Sequence, residues 1–515
     1  MSEEHLSEPR AAALRPRSRP SVSLGELVGS DSAVTVRGIT ADSRLVEPGD
    51  LYVALPGAAR HGAAFVPQAL EAGAAAILTD AAGREMIAQA GVPVVVVGDP
   101  RRDMAGIAAQ IYGCPADALS IFAVTGTNGK TTTTFLLDAA LRASGHRAGI
   151  IGTIGFFSDG RPLPTPRNTV TTPESPELHA VLARLREAGA DSVAMEVSSH
   201  GLALGRVDSI RFDVAAFTNF GRDHLDFHSD EESYFEAKAS LFSPTRTRHA
   251  VINLDDPRCR TLVKRIGGAI PVTTVSLDNP SADCWASAVE PEPSGEARVT
   301  ARLGGRKYHF RLNLPGDFNV RNALTALAML AAVGVDVEAA ATGLATARVP
   351  GRMQRVDLGA GAPLLYVDFA HTPQAVAAAL DSLPADRRIV VLGCGGDRDP
   401  DKRRPMGAAA AAGADVVIIT DDNPRSEEPA AIRAELMAGA EAARQAGRSQ
   451  VELIDGGDRR AAIRLALEHA GARDAIALLG KGHESGQEIG GQVLPFDDAI
   501  VAAEEWTGLQ GRGLP

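Results

Sequence analysis

"FAVTGTNGKTTTTFLLDAALRASG", residues 122–145, starts as an apolar strand, turns through two glycines and continues as an amphipathic helix. A loop of this kind ends at a helix N-terminus, where free N–H groups and the helix dipole favour an anion. Gly126, Thr127, Asn128 and Gly129 let the backbone wrap phosphate oxygens. Lys130 can reach the β- and γ-phosphates, the Thr131 hydroxyl suits Mg²⁺, and Thr132 belongs to the same expected ATP-binding stretch. The strict phosphate-loop pattern fails at its first position, Val124, but Gly126 can supply the turn. With strand and helix both in place, the stretch predicts an ATP or GTP site rather than a plain glycine turn.

The same rhythm recurs downstream in "LLYVDFAHTPQAVAAALDSL", "RIVVLGCGGDRD", "ADVVIITDDNPR" and "DAIALLGKGHE". Apolar runs alternating with helical patterns predict an α/β protein of parallel sheets covered by helices. Polar clusters follow directly after Val124, Val197, Phe217, Val367, Leu392, Ile419 and Leu479. Ligands of open α/β sheets bind outside the carboxyl ends of strands, so these clusters predict ligand crevices. Glu196 stands at one strand end, as a metal-side carboxylate would in phosphoryl transfer, or as an incidental acid. His224, in "TNFGRDHLDFH", can ligate metal, carry a proton or simply hydrogen-bond. Asp422, Asn423, Pro424 and Arg425 read either as a solvated turn or as a pocket for a zwitterion. Thr171 and Thr172 read as a strand end before Pro173, and residues 280–312 as a hairpin excursion.

A chain of 515 residues exceeds what one hydrophobic core supports. The divisions fall as a disordered tail at 1–20 and three blocks at 21–115, 116–348 and 349–515. A net charge of −12 argues against general nucleic-acid binding. Four scattered cysteines without C-x-x-C spacing suggest neither a zinc site nor a disulfide framework. The first twenty residues lack a signal-peptide core, and no run is long enough to span a bilayer, so a cytoplasmic protein without membrane insertion is expected.

"TGTNGKTTTT", "MEVSSHGL", "TNFGRDHLDFH", "YFEAKASLF", "LPGDFNVRNALTALA", "PGRMQ" and "DFAHTP" together resemble the Mur ligase family, and "TADSR…GDLYVALPG" extends the resemblance to the first block. The resemblance implies three α/β domains: a small uridine-nucleotide-binding domain, a central P-loop ATPase-like domain with a parallel sheet, and a Rossmann-like C-terminal domain. It also implies a monomer acting on small molecules. "DDNPR", "GCGGDRD" and "GKGHE" resemble the members that join diaminopimelate to UDP-N-acetylmuramoyl-L-alanyl-D-glutamate through an acyl phosphate.

On that resemblance Ser43, Thr171, Thr172, Ser198 and Arg206 contact the nucleotide precursor. Asn322, Arg352, Asp368 and His371 join the phosphate loop around ATP. Arg398, Asp422, Asn423, Pro424, Arg425, Gly480 and Glu484 hold diaminopimelate, with arginines for its distal carboxylate and acids for its distal ammonium. Lys238 reads from its spacing as an ordinary helix lysine; the resemblance implies instead an N6-carboxylysine formed with CO₂, binding Mg²⁺ with Thr131, Glu196 and His224. The rival readings are a ligase adding lysine, one adding glutamate to folates, and a nucleotide-driven switch. The motif leaves meso- and LL-diaminopimelate equally open.

Overall fold

The computed structural model describes residues 14–57, 59–164, 170–221, 223, 227–292, 295–447 and 450–511. The chain forms two compact units. One runs through Ala286 and includes Ala301–Tyr308 and Arg321–Leu344; the other comprises Ser287–Thr300, His309–Val320 and the chain from Ala345.

The first unit holds a small parallel sheet and a larger, mixed sheet with a parallel centre. The smaller pairs Gly38–Thr40, Asp50–Ala54, Ala76–Thr79 and Val94–Val96 in chain order. In the larger, parallel strands lie in the order Ala148–Gly152, Ser192–Glu196, Ser120–Thr125, Phe212–Phe217, Thr247–Asn253, Val272–Ser276. The chain leaves Ser120–Thr125 to one side and later returns to build on the other, so the glycine loop emerges where strand order reverses. That is where a crevice opens in a doubly wound sheet. Ile121, Ala123, Val193, Met195, Ala215 and Phe217 pack into one core cluster on a face of this sheet. The excursion expected at 280–312 is the strands Cys284–Pro291, Ala297–Leu303 and Arg306–Leu312. The last alternates, burying Tyr308, Phe310 and Leu312.

Two local expectations need correction. Residues 14–19 fall inside the segment read as a disordered tail, yet they are packed. Leu14 is buried with Leu119, Ile121, Val181 and Leu185, and the Arg15 guanidinium donates to both carboxylate oxygens of Asp50 at 2.8 Å. The amides of Arg17 and Ser18 donate to Glu187. Arg15 and Arg19 are paired there with Asp50 and Glu47, acids remote in sequence. Thr171 and Thr172, read as a strand end, instead lie in a bend ahead of the helix Ser175–Glu187. Their hydroxyls make side-chain hydrogen bonds there, and neither residue joins a ladder.

In the second unit the order is Gln354–Val356, Leu364–Asp368, Ala475–Leu479, Arg388–Leu392, Val416–Thr420, Glu452–Gly457, all parallel except the first. Val390 and Leu392 pack on one face, Ile389 and Val391 on the other. Burial on both faces explains why these strands read as unbroken apolar runs. The chain returns from Glu452–Gly457 to insert Ala475–Leu479 beside Arg388–Leu392, so "GCGG", "DDNPR" and "GKGHE" leave three neighbouring strand ends.

Candidate active site

In the first unit the phosphate loop is shaped by close packing. Gly126 (φ +142°) and Gly129 (φ +87°) hold backbone conformations that L side chains rarely adopt. A Cβ on Gly126 would lie 2.0 Å from Thr218 Oγ1, and one on Gly129 would lie 2.6 Å from Asn322 Oδ1. Asn322 is thus set against the loop from the helix Asp317–Ala332. The Thr127 amide donates to the Asn219 carbonyl and the Asn128 amide to its side-chain oxygen, both at 2.9 Å. Lys130 Nζ donates to the carbonyls of Gly126 and Thr127 at 2.8 and 2.9 Å. Thr132, the third residue of the helix Lys130–Ala143, is buried.

Glu196 ends its strand beside this loop. It accepts from Thr131 Oγ1 at 3.0 Å, from the Thr153 amide at 2.9 Å and from Thr153 Oγ1 at 3.1 Å. A Cβ on Gly152 would meet Glu196 Oε1 at 2.2 Å. Thr153 and Gly152 were missed from the sequence, although a glycine at a strand end was a usable signal.

Lys238 lies in the last turn of the helix Glu231–Ala239, whose start is fixed by a reciprocal Asp230–Ser233 cap. Its side chain is 1% exposed, and Nζ donates to the Gly126 carbonyl at 2.9 Å. Burial pushes its pKa well below the usual lysine value; Lys130 adds to this and Asp223 opposes it. An ordinary surface lysine would have none of these features. Nearby, Tyr234 carries Lys238 Nζ over its ring at 4.6 Å, and His228 packs against Tyr234. His224 lies outside the described residues.

Thr172 is buried and knits this region together. Its Oγ1 donates to the Glu196 carbonyl at 3.0 Å and accepts from the Ser198 amide at 2.9 Å. Thr171 Oγ1 lies 3.0 Å from Thr153 Oγ1. Ser198 caps the short helix Ser199–Ala203 by accepting from the Gly201 amide. Arg206 donates to the Thr172 carbonyl at 2.8 Å and to Glu174 at 3.0 Å, and Glu174 also binds Arg101. Ser43 sits in the smaller sheet's domain and donates to Gln68 Oε1 at 2.8 Å.

The second unit has its own convergence of groups. Asp368, half-buried at a strand end, accepts from the Met353 amide at 2.7 Å. Burial raises its pKa, against the pull of Arg352 and backbone N–H groups. Arg352 stacks over Phe369 at 4.4 Å, and His371 Nδ1 lies 2.8 Å from the Phe369 carbonyl. His483 lies across the same ring, its pKa depressed to about 3 by burial and by Arg352.

The "DDNPR" stretch is a built loop, not a solvated turn. Asp422, Asn423 and Pro424 are buried. Asn423 Nδ2 donates to Glu484 Oε2 at 2.7 Å, and its Oδ1 accepts from the Glu488 amide at 2.9 Å. Arg425 takes a left-handed backbone (φ +54°) and bonds through its amide to the Glu488 carbonyl. Its Nη1 donates to the Gly396 carbonyl at 2.6 Å. A Cβ on Gly395 would meet Arg425 Nη1 at 2.9 Å and Arg398 Cγ at 3.9 Å, so both arginines flank one glycine. Gly480 (φ +111°) presses on Asp422: a Cβ there would lie 2.7 Å from Oδ2.

Residues 35–112, 124–330 and 351–482 match, in turn, the Mur ligase family catalytic domain, the Mur ligase middle domain and the Mur ligase glutamate ligase domain. A UDP-N-acetylmuramoyl-L-alanyl-D-glutamate–2,6-diaminopimelate ligase of Streptomyces avermitilis is 46% identical over 508 residues, covering 96% of this chain and 99% of its own. The chain is a Mur ligase. A ligase of the same name from Corynebacterium glutamicum is 46% identical over 490 residues, 93% of either chain. A solved structure of a ligase of that name is 32% identical, with a TM-score of 0.68 over 95% of this Mur ligase and all of the other. Three-domain α/β architecture with parallel sheets follows from this membership. No helix among the described residues is long and apolar enough to cross a membrane.

Proposed function

We propose that this Mur ligase uses ATP to join diaminopimelate to UDP-N-acetylmuramoyl-L-alanyl-D-glutamate, a step in building peptidoglycan precursors. The observation carrying this reading is the buried, polar "DDNPR" loop, laced to "GKGHE" in a chain whose full-length relatives bear that name. In the reaction the precursor's D-glutamyl carboxylate attacks the γ-phosphorus of ATP, giving an acyl phosphate and ADP. The amine of diaminopimelate then attacks the acyl carbon, expelling phosphate and forming the amide. Residues 21–115 serve the uridine end, 116–348 the ATP and 349–515 the amino acid. The enzyme acts as a cytoplasmic monomer on these small molecules.

Lys130 and the N–H groups of Gly126–Thr132 neutralise phosphate charge as it develops. Asn322 supports the loop, and on the family resemblance Arg352, Asp368 and His371 also serve the nucleotide. Thr131 and Glu196, already 3.0 Å apart, fit a Mg²⁺ site, completed by His224 and a carboxylated Lys238. The metal would supply charge neutralisation on the phosphates. Carbamate formation consumes a neutral amine and CO₂ and releases a proton, and the depressed basicity of Lys238 favours that neutral amine. An anion there would also relieve the repulsion from Lys130. Ser43, Thr171, Thr172, Ser198 and Arg206 bind the precursor, with Arg206 exchanging Glu174 for a substrate carboxylate. Arg398 and Arg425 hold the distal carboxylate of diaminopimelate, while Asp422, Glu484, Asn423, Pro424 and the Gly480 backbone surround its ammonium. Lysine would leave the arginines unmatched, a mismatch that can discriminate by about 10⁴-fold.

The test is phosphate release with ATP, Mg²⁺ and the precursor, comparing meso- and LL-diaminopimelate, L-lysine and no amino acid. Turnover with a diaminopimelate isomer alone is expected. Turnover with lysine, or indifference to the amino acid, refutes the reading. Intact-mass measurement of native protein, with and without Lys238→Ala, tests the carbamate.

A further inference from the structure

Lys481 stands in the middle of "GKGHE", is 0% exposed, and is given no role by the reaction above. Fully buried lysines occur almost only when paired. This one is held by two segments, 422–423 and 484–486. Nζ donates to the Gly486 carbonyl at 2.6 Å, to Asn423 Oδ1 at 3.3 Å and to Glu484 Oε2 at 3.4 Å, and it lies 3.7 Å from Asp422 Oδ1. The two carboxylates it faces are the two proposed for the amino acid's ammonium. A second observation points outward from this network. Asp422 is 6% exposed, yet its Oδ1 has no hydrogen-bond partner among the described residues. A buried acceptor left open costs about 1–3 kcal/mol, so its persistence suits an oxygen that a ligand completes.

We infer that Lys481 is a positioning residue that sets the charge and geometry of the ammonium end of the amino-acid pocket. Two carboxylates with one ammonium carry a single net negative charge, which one incoming ammonium balances. Without Lys481, Asp422 and Glu484 would lose the cation that both of them face. Lys481 also fixes the Asn423 amide: with Oδ1 accepting from Nζ and the Glu488 amide, Nδ2 must point at Glu484. Arg425, Arg398 and Glu488 form the other end, so the pocket presents opposite charges to the two halves of a zwitterion.

The inference rests on the reading of this crevice as the amino-acid pocket, and the test separates the two. Lys481→Met, close in volume, is assayed for KM of each substrate, for kcat, and for acyl-phosphate formation from ATP and precursor alone, trapped as the hydroxamate. The expected result is a KM for diaminopimelate raised at least about tenfold, with KM for ATP and precursor and the hydroxamate yield unchanged. Lys481→Arg, which keeps the charge, should fall between parent and K481M. An unchanged diaminopimelate KM overturns the inference. So does loss of hydroxamate formation, which would make Lys481 a residue needed for folding alone. If the parent itself forms hydroxamate but no amide with either isomer, the pocket reading fails instead, whatever K481M does.

Discussion

Arg459 and Asp498 form an ion pair with both side chains 0% exposed. Arg459 Nε donates to Oδ1 at 2.8 Å and Nη2 to Oδ2 at 2.6 Å, while Nη2 also reaches the Leu479 carbonyl at 3.1 Å. Leu479 ends the strand that leads into Gly480 and Lys481, so the pair anchors the base of the amino-acid loop. Replacing Arg459 by Met leaves Asp498 charged and dry. Breaking a buried pair from one side costs about 3–5 kcal/mol. Asp498 opens the helix Asp498–Gln510, whose dipole offsets roughly 0.5–1 kcal/mol. The expected loss is therefore about 3–4 kcal/mol, a large part of the roughly 5–15 kcal/mol that holds a domain together. Asp498→Leu should cost a similar amount by stranding the guanidinium. The double variant removes both charges and should lose only about 1–2 kcal/mol beyond lost packing. Trp506 lies in the core cluster that covers this face, and Trp285 is the second of two tryptophans. Urea unfolding followed by Trp506 fluorescence in a Trp285→Phe background reads the second unit by itself. Single-variant losses below about 1 kcal/mol, or losses that simply add in the double variant, would refute the reasoning.

Other outcomes follow from the same geometry. His179 is fully buried with neither ring nitrogen bonded among the described residues, and its pKa is depressed to about 4. The unfolded chain binds that proton below about pH 6.5, so stability should fall by about 3 kcal/mol between pH 6.5 and 4, and His179→Gln should flatten this limb in acid titrations of unfolding. Glu196→Gln keeps the shape but cannot accept all three hydrogen bonds; kcat should drop about 10²–10³-fold, with precursor affinity by calorimetry nearly unchanged. Gly129→Ala puts a Cβ 2.6 Å from Asn322 Oδ1 at φ +87°, and KM for ATP should rise tenfold or more, on the order of 1–3 kcal/mol of backbone strain. Glu174→Gln weakens the hold on Arg206, so the precursor's KM should fall in steady-state assays.

The sequence made the repeating strand–loop–helix order legible because parallel strands covered on both faces leave long apolar runs. It also placed Thr131 at the helix start behind the glycine loop and Glu196 at a strand end, and the fold brings them together. What escaped it depends on contacts remote in sequence. Leu14 and Arg15 look like the start of a polar tail until Asp50 and the Val181–Leu185 helix are beside them. Thr171 and Thr172 have strand propensity, but buried hydrogen bonds to Glu196 and Ser198 decide their conformation. Lys481 sits between two glycines with nothing local to mark it as buried. Arg459 and Asp498, thirty-nine positions apart, carry no periodic signature at all.

The packing of residues 14–19 also bears on how the chain is made. Arg17 meets its partner Glu187 across 170 positions. At about 5–20 residues per second, translation separates the two by roughly 10–30 s. During that interval Leu14 and Arg15 have no finished core to enter, and chaperones or proteases can reach them. Docking of this segment is consequently a late event, completed only after the helix bearing Glu187 has left the ribosome. A fusion partner or cleavage site placed just ahead of residue 14 would act on that waiting period first.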